Sequence, residues 1–275
     1  GTDLKTPNVD RLAAEGMKFT DFYMVSSVCS PSRAGLLTGL YPHRAGVPDV
    51  LFPVTHKDAK KKKNLGLDPK HFTLAEMFKS VGYKTKAVGK WHLGDLPEYL
   101  PTGQGFDSYY GIPFSNDMYP ADYTRYADDC LFRDGWSEAK IQARFEEAKA
   151  KKLKRRGLAR LVPLLRDELC VEFPTDQSTI TRRLASNGME FISESVREKK
   201  PFFLYLANPM PHTPLFASKE FSGKSARGLY GDTIEEIDHN VGRILDHLDA
   251  LGIRDQTIVF FTSDNGATLK RGDTD

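Results

Sequence analysis

The feature that most restricts the fold lies toward the carboxyl end of the chain. There an unbroken apolar run, Phe202–Ala207, is followed by Ile234, Ile237, Val241, Ile244, Leu248 and Leu251, and then by a second apolar stretch, 257–262. A short continuous apolar run predicts a strand buried on both faces, and spacings of three and four predict an amphipathic helix. Strand, helix and strand in that order require a crossover, and so a parallel sheet covered by helices. The alternation has an earlier, smaller counterpart: residues 73–80 have the pattern of a short helix, Gly82 stops it, and 83–88 read as a strand. Functional loops are expected at the carboxyl ends of such strands.

Residues 6–16 predict a helix with Thr6 as N-cap, Pro7 in the first turn and Gly16 as the stop. Residues 19–25 read as extended. A Ser-rich turn then leads to Cys29, and Pro31 opens a second helix through Leu36 and Leu37 to Gly39, which puts Cys29 at a helix N-terminus. Residues 117–195 are polar, helical in tendency and poor in strand signals, and they read as an insertion. Within it, 138–160 hold nine Lys or Arg and three Glu, a local net of +6 that leaves −4 for the rest of a chain whose total is +2. A solvated helix face is the first reading of that segment, and a surface for an acidic partner the second. The lysine run at 60–63 reads as a loop.

Composition removes several classes. The longest apolar run falls far short of the ~18 residues a membrane-spanning helix needs. The near-balance of 39 Lys and Arg against 37 Asp and Glu gives no support to a dedicated nucleic-acid binder. With 17 Phe and 11 Tyr the chain has ample material for a core, which excludes disorder. Cys29, Cys130 and Cys170 are too few for a disulfide scaffold and lack the C-x-x-C spacing of a zinc site.

The chemistry concentrates in Cys29-Ser30-Pro31-Ser32-Arg33-Ala34-Gly35-Leu36-Leu37-Thr38-Gly39. A cysteine at a helix N-terminus sits among unpaired N–H groups and the positive end of the dipole, which favour an anion or a thiolate. Arg33, one turn later, can reach toward the same anion. Taken alone, Cys29 reads first as a buried structural cysteine and second as a catalytic one, Lys90 as a solvated strand-end lysine, and His92 and His212 as structural histidines. Ser115 reads alone as a turn residue, and Asp264-Asn265 as an Asx turn closing the strand before it. Lys90 and His92 stand at i and i+2, which on an extended segment puts both on one side.

The cysteine segment closely resembles the signature of the type I sulfatases, and the segment Thr6 to Gly16 resembles the one those enzymes carry just upstream. Further matches follow in the family order: Gly89-Lys90-Trp91-His92-Leu93-Gly94, Gly111-Ile112-Pro113-Phe114-Ser115-Asn116-Asp117, Pro211-His212-Thr213-Pro214 and Thr262-Ser263-Asp264-Asn265-Gly266. The resemblance implies an alkaline-phosphatase-like α/β/α sandwich with a mostly parallel sheet. It also implies that Cys29 is oxidised to formylglycine, whose hydrate is the nucleophile in the hydrolysis of sulfate monoesters. One hydroxyl of the diol attacks sulfur and the other later expels sulfate, a second step that a serine could not perform.

By the same resemblance Arg33 and Lys90 hold the hydrate and the sulfate oxygens, and His92 takes the proton from the second hydroxyl. His212 contacts or protonates the leaving oxygen, and Ser115 matches a polar substrate-binding residue of the arylsulfatase branch. Asp264, Asn265 and the converted Cys29 would ligate Ca²⁺, with Mg²⁺ as the other candidate, since hard oxygens suit either ion. The implied partners are a sulfate ester and the formylglycine-generating enzyme. The implied location is the secretory route, and oligomeric state is open.

The family's first strand, with its Asp pair, and its second active-site lysine have no counterpart here. Asp128-Asp129 lies in the insertion, and Lys270 lacks the glycine-rich context. Residues 1–275 are therefore expected to be one incomplete catalytic domain, without the first strand and the carboxyl-terminal subdomain, and weakly active by itself. Competing expectations are a phosphonate or phosphate ester hydrolase of the same superfamily, and an inactive chain that binds acidic polysaccharide through its basic insertion.

Overall fold

A computed structural model describes residues 3–53, 65–153 and 158–266. The lysine run at 60–63, Lys154, Arg155, Arg156 and Lys270 lie outside them. Helix α1 (Pro7–Glu15) begins where Pro7 fixes φ and needs no N–H. Its first turn has no side-chain cap of its own. The buried carboxylate of Asp238 instead accepts from the backbone N–H of Asn8 and Val9 at 3.0 and 2.8 Å. Helix α2 (Cys29–Thr38) ends at Gly39, whose φ of 68° is the left-handed C-cap that glycine permits. Helix α3 (Leu74–Ser80) opens with a reciprocal capping box: Glu76 N–H donates to Thr73 Oγ1, and Thr73 N–H donates to Glu76 Oε2.

Six strands follow: β1 (Lys84–Gly89), β2 (Ser108–Gly111), β3 (Arg125–Phe132), β4 (Leu164–Arg166), β5 (Leu169–Phe173) and β6 (Phe202–Ala207). They form one sheet in the order β3-β5-β4-β2-β1-β6. β1 lies parallel to both β2 and β6, β3 lies parallel to β5, and β4 is antiparallel to both of its neighbours. The remaining helices are α4 (Glu138–Ala150), α5 (Ile180–Arg197) and α6 (Gly228–Ala250).

The period of two along the strands divides the core. Ala87, Tyr109, Phe203 and Tyr205 point to a layer with Trp91, Phe106 and Leu37, under α2 and α3. Val88, Leu204 and Leu206 point to a second layer with Leu184 and Ile237, under α5 and α6. The result is a three-layer α/β/α sandwich with a mostly parallel sheet.

Three expectations are corrected. The stretch 117–195 is not a helical appendage: it supplies β3, β4 and β5, half of the sheet, and α5 packs directly on β1 and β6. The strand signal was weak because β3 is an edge strand with a largely exposed, polar sequence, and β4 is too short to show a period. Residues 257–262 do not form a strand, and Ile258 and Phe260 stand 82% and 84% exposed. Residues 19–25 likewise make no ladder, with Tyr23 83% exposed. Apolar β-branched and aromatic residues favour extended backbone, but a strand exists only where another pairs with it. Among the described residues neither segment has such a partner.

The tightest point is where β1 ends. A Cβ on Gly89, whose φ is 104°, would lie 2.0 Å from the Ala207 carbonyl oxygen on β6. Gly89→Ala is expected to destabilise the protein by about 3 kcal/mol or more, from clash together with strained backbone. Gly252→Ala, at φ 67° in open space, should cost about 1 kcal/mol. Urea unfolding of the two variants checks the difference.

Candidate active site

Cys29 occupies the first helical position of α2, and no side chain caps that end. Its Sγ accepts a hydrogen bond from Lys90 Nζ at 3.1 Å. Four residues on, on the same helical face, Arg33 is almost fully buried. The guanidinium is bound on several sides: Nε and Nη2 reach Asp264 Oδ2 at 2.9 and 2.8 Å, and Nη1 donates to the Lys90 carbonyl and to Tyr205 Oη. Ser32 Oγ donates to the Asp264 carbonyl, so α2 holds the 264 segment by both backbone and side chain.

Lys90 and His92 lie just beyond β1, where the backbone is still gripped by both neighbours. Lys90 N–H donates to Ala207 O at 2.7 Å, Trp91 N–H to Ile112 O at 3.0 Å, and His92 N–H to Pro113 O at 2.9 Å. The two side chains are not related by strand alternation, because His92 has a φ of 64°. Loop geometry thus replaces the extended segment expected from the i, i+2 spacing, and the charge of Lys90 still acts on the imidazole.

His92 is buried, with Nε2 3.0 Å from Leu51 O. A carbonyl only accepts, so Nε2 carries the proton and Nδ1 presents a lone pair. That Nδ1 is buried and has no partner among the described residues. His212 has the opposite arrangement: Nδ1 lies 2.6 Å from Thr213 O and 3.4 Å from Ser115 Oγ, which leaves Nε2 as the exchangeable position.

Electrostatics set the protonation preferences. Burial, then Arg33, pushes the Lys90 ammonium down, although Cys29 and Asp264 act the other way. Burial, then Lys90 and Arg33, holds His92 well below its ordinary value. Burial and Lys90 also lower His212. Burial works against both charges of the Arg33–Asp264 pair, but Tyr205 and Asp264 raise Arg33, while Arg33 and Lys90 lower Asp264. The site is thus a set of basic groups crowded around Cys29, each held back from its charged form except Arg33.

The structure therefore brings Cys29, Arg33, Lys90, His92, Ser115, His212 and Asp264 into one cluster. Asn265 adjoins it through Asp264, and its amide donates to Gly266 O at 3.4 Å. Asp264 and Asn265 suit a hard cation in kind but not in number. Among the described residues no three His, Cys, Asp or Glu converge on a point, whereas a Ca²⁺ shell holds about 6–8 oxygens.

Sequence reasoning missed two positioning residues. Asn116 Nδ2 donates to the carbonyls of His212 and Pro214 at 3.0 and 2.9 Å, so it fixes the loop that carries His212. It adjoins Ser115 in the 111–117 motif, which was the one signal for it. Tyr205, within an apolar strand, gave none. Along α4 and at its C-cap, Arg144, Lys149 and Lys151 pair with Glu146 and Glu147, which favours the solvated-face reading of the basic segment.

The whole chain, residues 1–275, matches the family profile "Sulfatase". It is 38% identical over 265 residues to N-acetylgalactosamine-6-sulfatase of Rattus norvegicus, covering 96% of this chain and 46% of that protein. It is 36% identical over 269 residues to arylsulfatase A of Homo sapiens, covering 97% and 48%. The solved structure of Ps i-CgsB in complex with k-i-k-neocarrahexaose superposes with a TM-score of 0.70 at 31% identity, covering 92% of this chain and 51% of that one. A mostly parallel α/β/α sheet with a cysteine, an arginine and two histidines at its carboxyl edge defines the class, and the chain belongs to the sulfatase family. It spans about half the length of the curated relatives it matches.

Asp264→Asn removes the partner of a buried guanidinium and is expected to cost about 2–3 kcal/mol, below the full value for a buried pair because Asp264 is one-quarter exposed. The Asp264 pKa is lowered in the folded state, so the pair contributes above the unfolded pKa and is lost as pH falls through the folded one. Denaturant unfolding at neutral pH and at pH about 3 should show the gap between wild type and variant closing in acid.

Proposed function

We propose that this chain carries the nucleophile half of a sulfate monoester hydrolase, with Cys29 converted to formylglycine by the formylglycine-generating enzyme on the secretory route. The observation that carries the reading is the contact of Lys90 Nζ with Cys29 Sγ beside a buried Arg33 and a His92 Nδ1 that has no partner among the described residues. A sulfate ester brings negative oxygens, and these groups are placed to hold them.

In the first step one hydroxyl of the formylglycine hydrate gives up its proton to solvent and its oxygen attacks sulfur. The S–O bond to the alcohol breaks, and His212 Nε2 delivers a proton to the departing oxygen. In the second, His92 Nδ1 takes the proton of the remaining hydroxyl, the carbonyl reforms, and sulfate leaves with the bridging oxygen. Water then restores the hydrate. Arg33 and Lys90 hold the oxygens in both steps, and Ser115 orients His212. A divalent cation at Asp264 and Asn265, Ca²⁺ or Mg²⁺, would neutralise sulfate charge when bound.

The test is peptide mass spectrometry of the protein made with active converting enzyme, together with turnover of an aryl sulfate and its phosphate analogue. Conversion at Cys29, hydrolysis of the sulfate in preference to the phosphate, and loss of turnover in Cys29→Ala are expected. Unmodified Cys29, or a preference for the phosphate, overturns the reading.

The pH dependence has a definite sign. His92 must be neutral to accept a proton, and its depressed pKa keeps it so at neutral pH. His212 must be protonated to donate, and its pKa is also depressed, so kcat/KM should fall as pH rises, with a midpoint below the ordinary histidine value of ~6.5. His212→Ala should remove this alkaline limb and cost about 100-fold or more for alkyl sulfates, but much less for nitrophenyl sulfate, whose leaving oxygen needs little protonation. Rate profiles on both substrates check it.

A further inference from the structure

Cys130 and Cys170, unlike Cys29, lie far from the reacting groups in the chain and have no part in the chemistry above. They sit on adjacent parallel strands, Cys130 on β3 and Cys170 on β5. Strand alternation alone would put them on opposite faces. Leu131 pairs with Glu172 and Phe132 with Phe173, so Cys130 shares a face with Phe132 and Phe173, three residues from Cys170. The β4–β5 register supplies the missing step: Leu164 faces Glu172 and Leu165 faces Cys170, which leaves Val171 as an extra, bulged residue. The bulge turns Val171 toward the α5–α6 layer and returns Cys170 to the face of Phe173. There Cys170 sits in the apolar cluster that Cys130 packs against, and each thiol acts on the titration of the other.

We propose that Cys130 and Cys170 form a disulfide that fastens the outermost strand β3 to β5. Among the described residues β3 has no other neighbour in the sheet, and its pairing to β5 is interrupted between Tyr126 and Leu131, so a covalent tie acts where the ladder is weakest. The bridge would close residues 131–169, including α4, into a loop anchored at its base. Accessibility orders the steps. Cys130 is half-buried and Cys170 has no exposed surface. The Cys130 thiolate attacks glutathione disulfide, forming a mixed disulfide and releasing one glutathione thiol. The Cys170 thiolate then attacks the Cys130 sulfur and expels the second. Two protein thiols lose their protons and two electrons, and one glutathione disulfide becomes two thiols. Burial raises both thiol pKa values, so the exchange should quicken toward alkaline pH.

The experiment equilibrates the protein with glutathione disulfide at mildly alkaline pH, alkylates the remaining thiols, digests without reduction and maps the peptides by mass. A linked pair containing Cys130 and Cys170, about 2 Da lighter than the sum of its reduced peptides, is expected. Thermal unfolding gives the second readout. The oxidised protein should melt roughly 5–10 °C above the reduced one. Cys130→Ser, chosen because its site is half-exposed and tolerant, should melt at one temperature in both buffers. Alkylation of both cysteines after equilibration, arrest at glutathionylated Cys130, or a bridge to Cys29 overturns the proposal. So does a wild-type melting temperature that ignores the redox buffer.

Discussion

The guanidinium of Arg33 is the interaction on which the rest of the site depends. It is nearly buried, and a buried charge without partners is far costlier than a neutral group. Its partners come from four separate places: Asp264 near the end of the described chain, the Lys90 carbonyl beyond β1, the Tyr205 hydroxyl on β6, and Cys29 one turn back on α2. Satisfying one side chain therefore fixes α2 against the carboxyl edge of the sheet and holds residue 264 beside it. Removing any partner leaves the charge behind, and that is why the arrangement tolerates little change.

With Arg33 fixed, the neighbouring groups share a common bias. Lys90, His92 and His212 are all pushed toward their neutral forms, by burial first and then by the charge of Arg33 on Lys90 and of Lys90 on the two histidines. A pocket in that condition is complementary to an anion, because an incoming negative group relieves the repulsion that lowers each pKa. Affinity for an anion and protonation of the site are then one linked equilibrium. The same charges that repel one another are the ones an anion's oxygens would meet.

How much of this was legible in the sequence follows from which interactions are local. α3 could be placed because Thr73 and Glu76 cap it three residues apart, and β6 because a six-residue apolar run is too short for a core helix and too apolar for a surface loop. Cys29 and Arg33 could be paired because four residues is one helical turn. The failures are all non-local. A strand at 257–262 needs a partner that the segment itself cannot encode, and β3 and β4 become strands only through their register with β5. Tyr205 reads as core until its hydroxyl is seen on Arg33, and Asn116 shows no role of its own until its amide is seen to bind two carbonyls across the chain. His92 could not be aimed from its spacing to Lys90, since a left-handed φ replaces the alternation of a strand.

The two histidines show how backbone carbonyls can divide the labour of identical side chains. Leu51 O occupies Nε2 of His92, and Thr213 O occupies Nδ1 of His212, so each ring is locked into a different tautomer by an acceptor that cannot donate. His92 is left with a lone pair on Nδ1, suited to taking a proton. His212 is left with Nε2, which can deliver one only when the ring is charged. Neither assignment depends on the pKa of the ring, because both follow from which nitrogen the main chain has already engaged. Burial then sets when each proposed role can be exercised: a strongly depressed His92 is neutral across the neutral range, as a base must be, while a depressed His212 carries the proton an acid needs mainly at low pH. Opposite tautomers with a shared downward shift in pKa thus come from two carbonyl contacts, burial and the charge of Lys90.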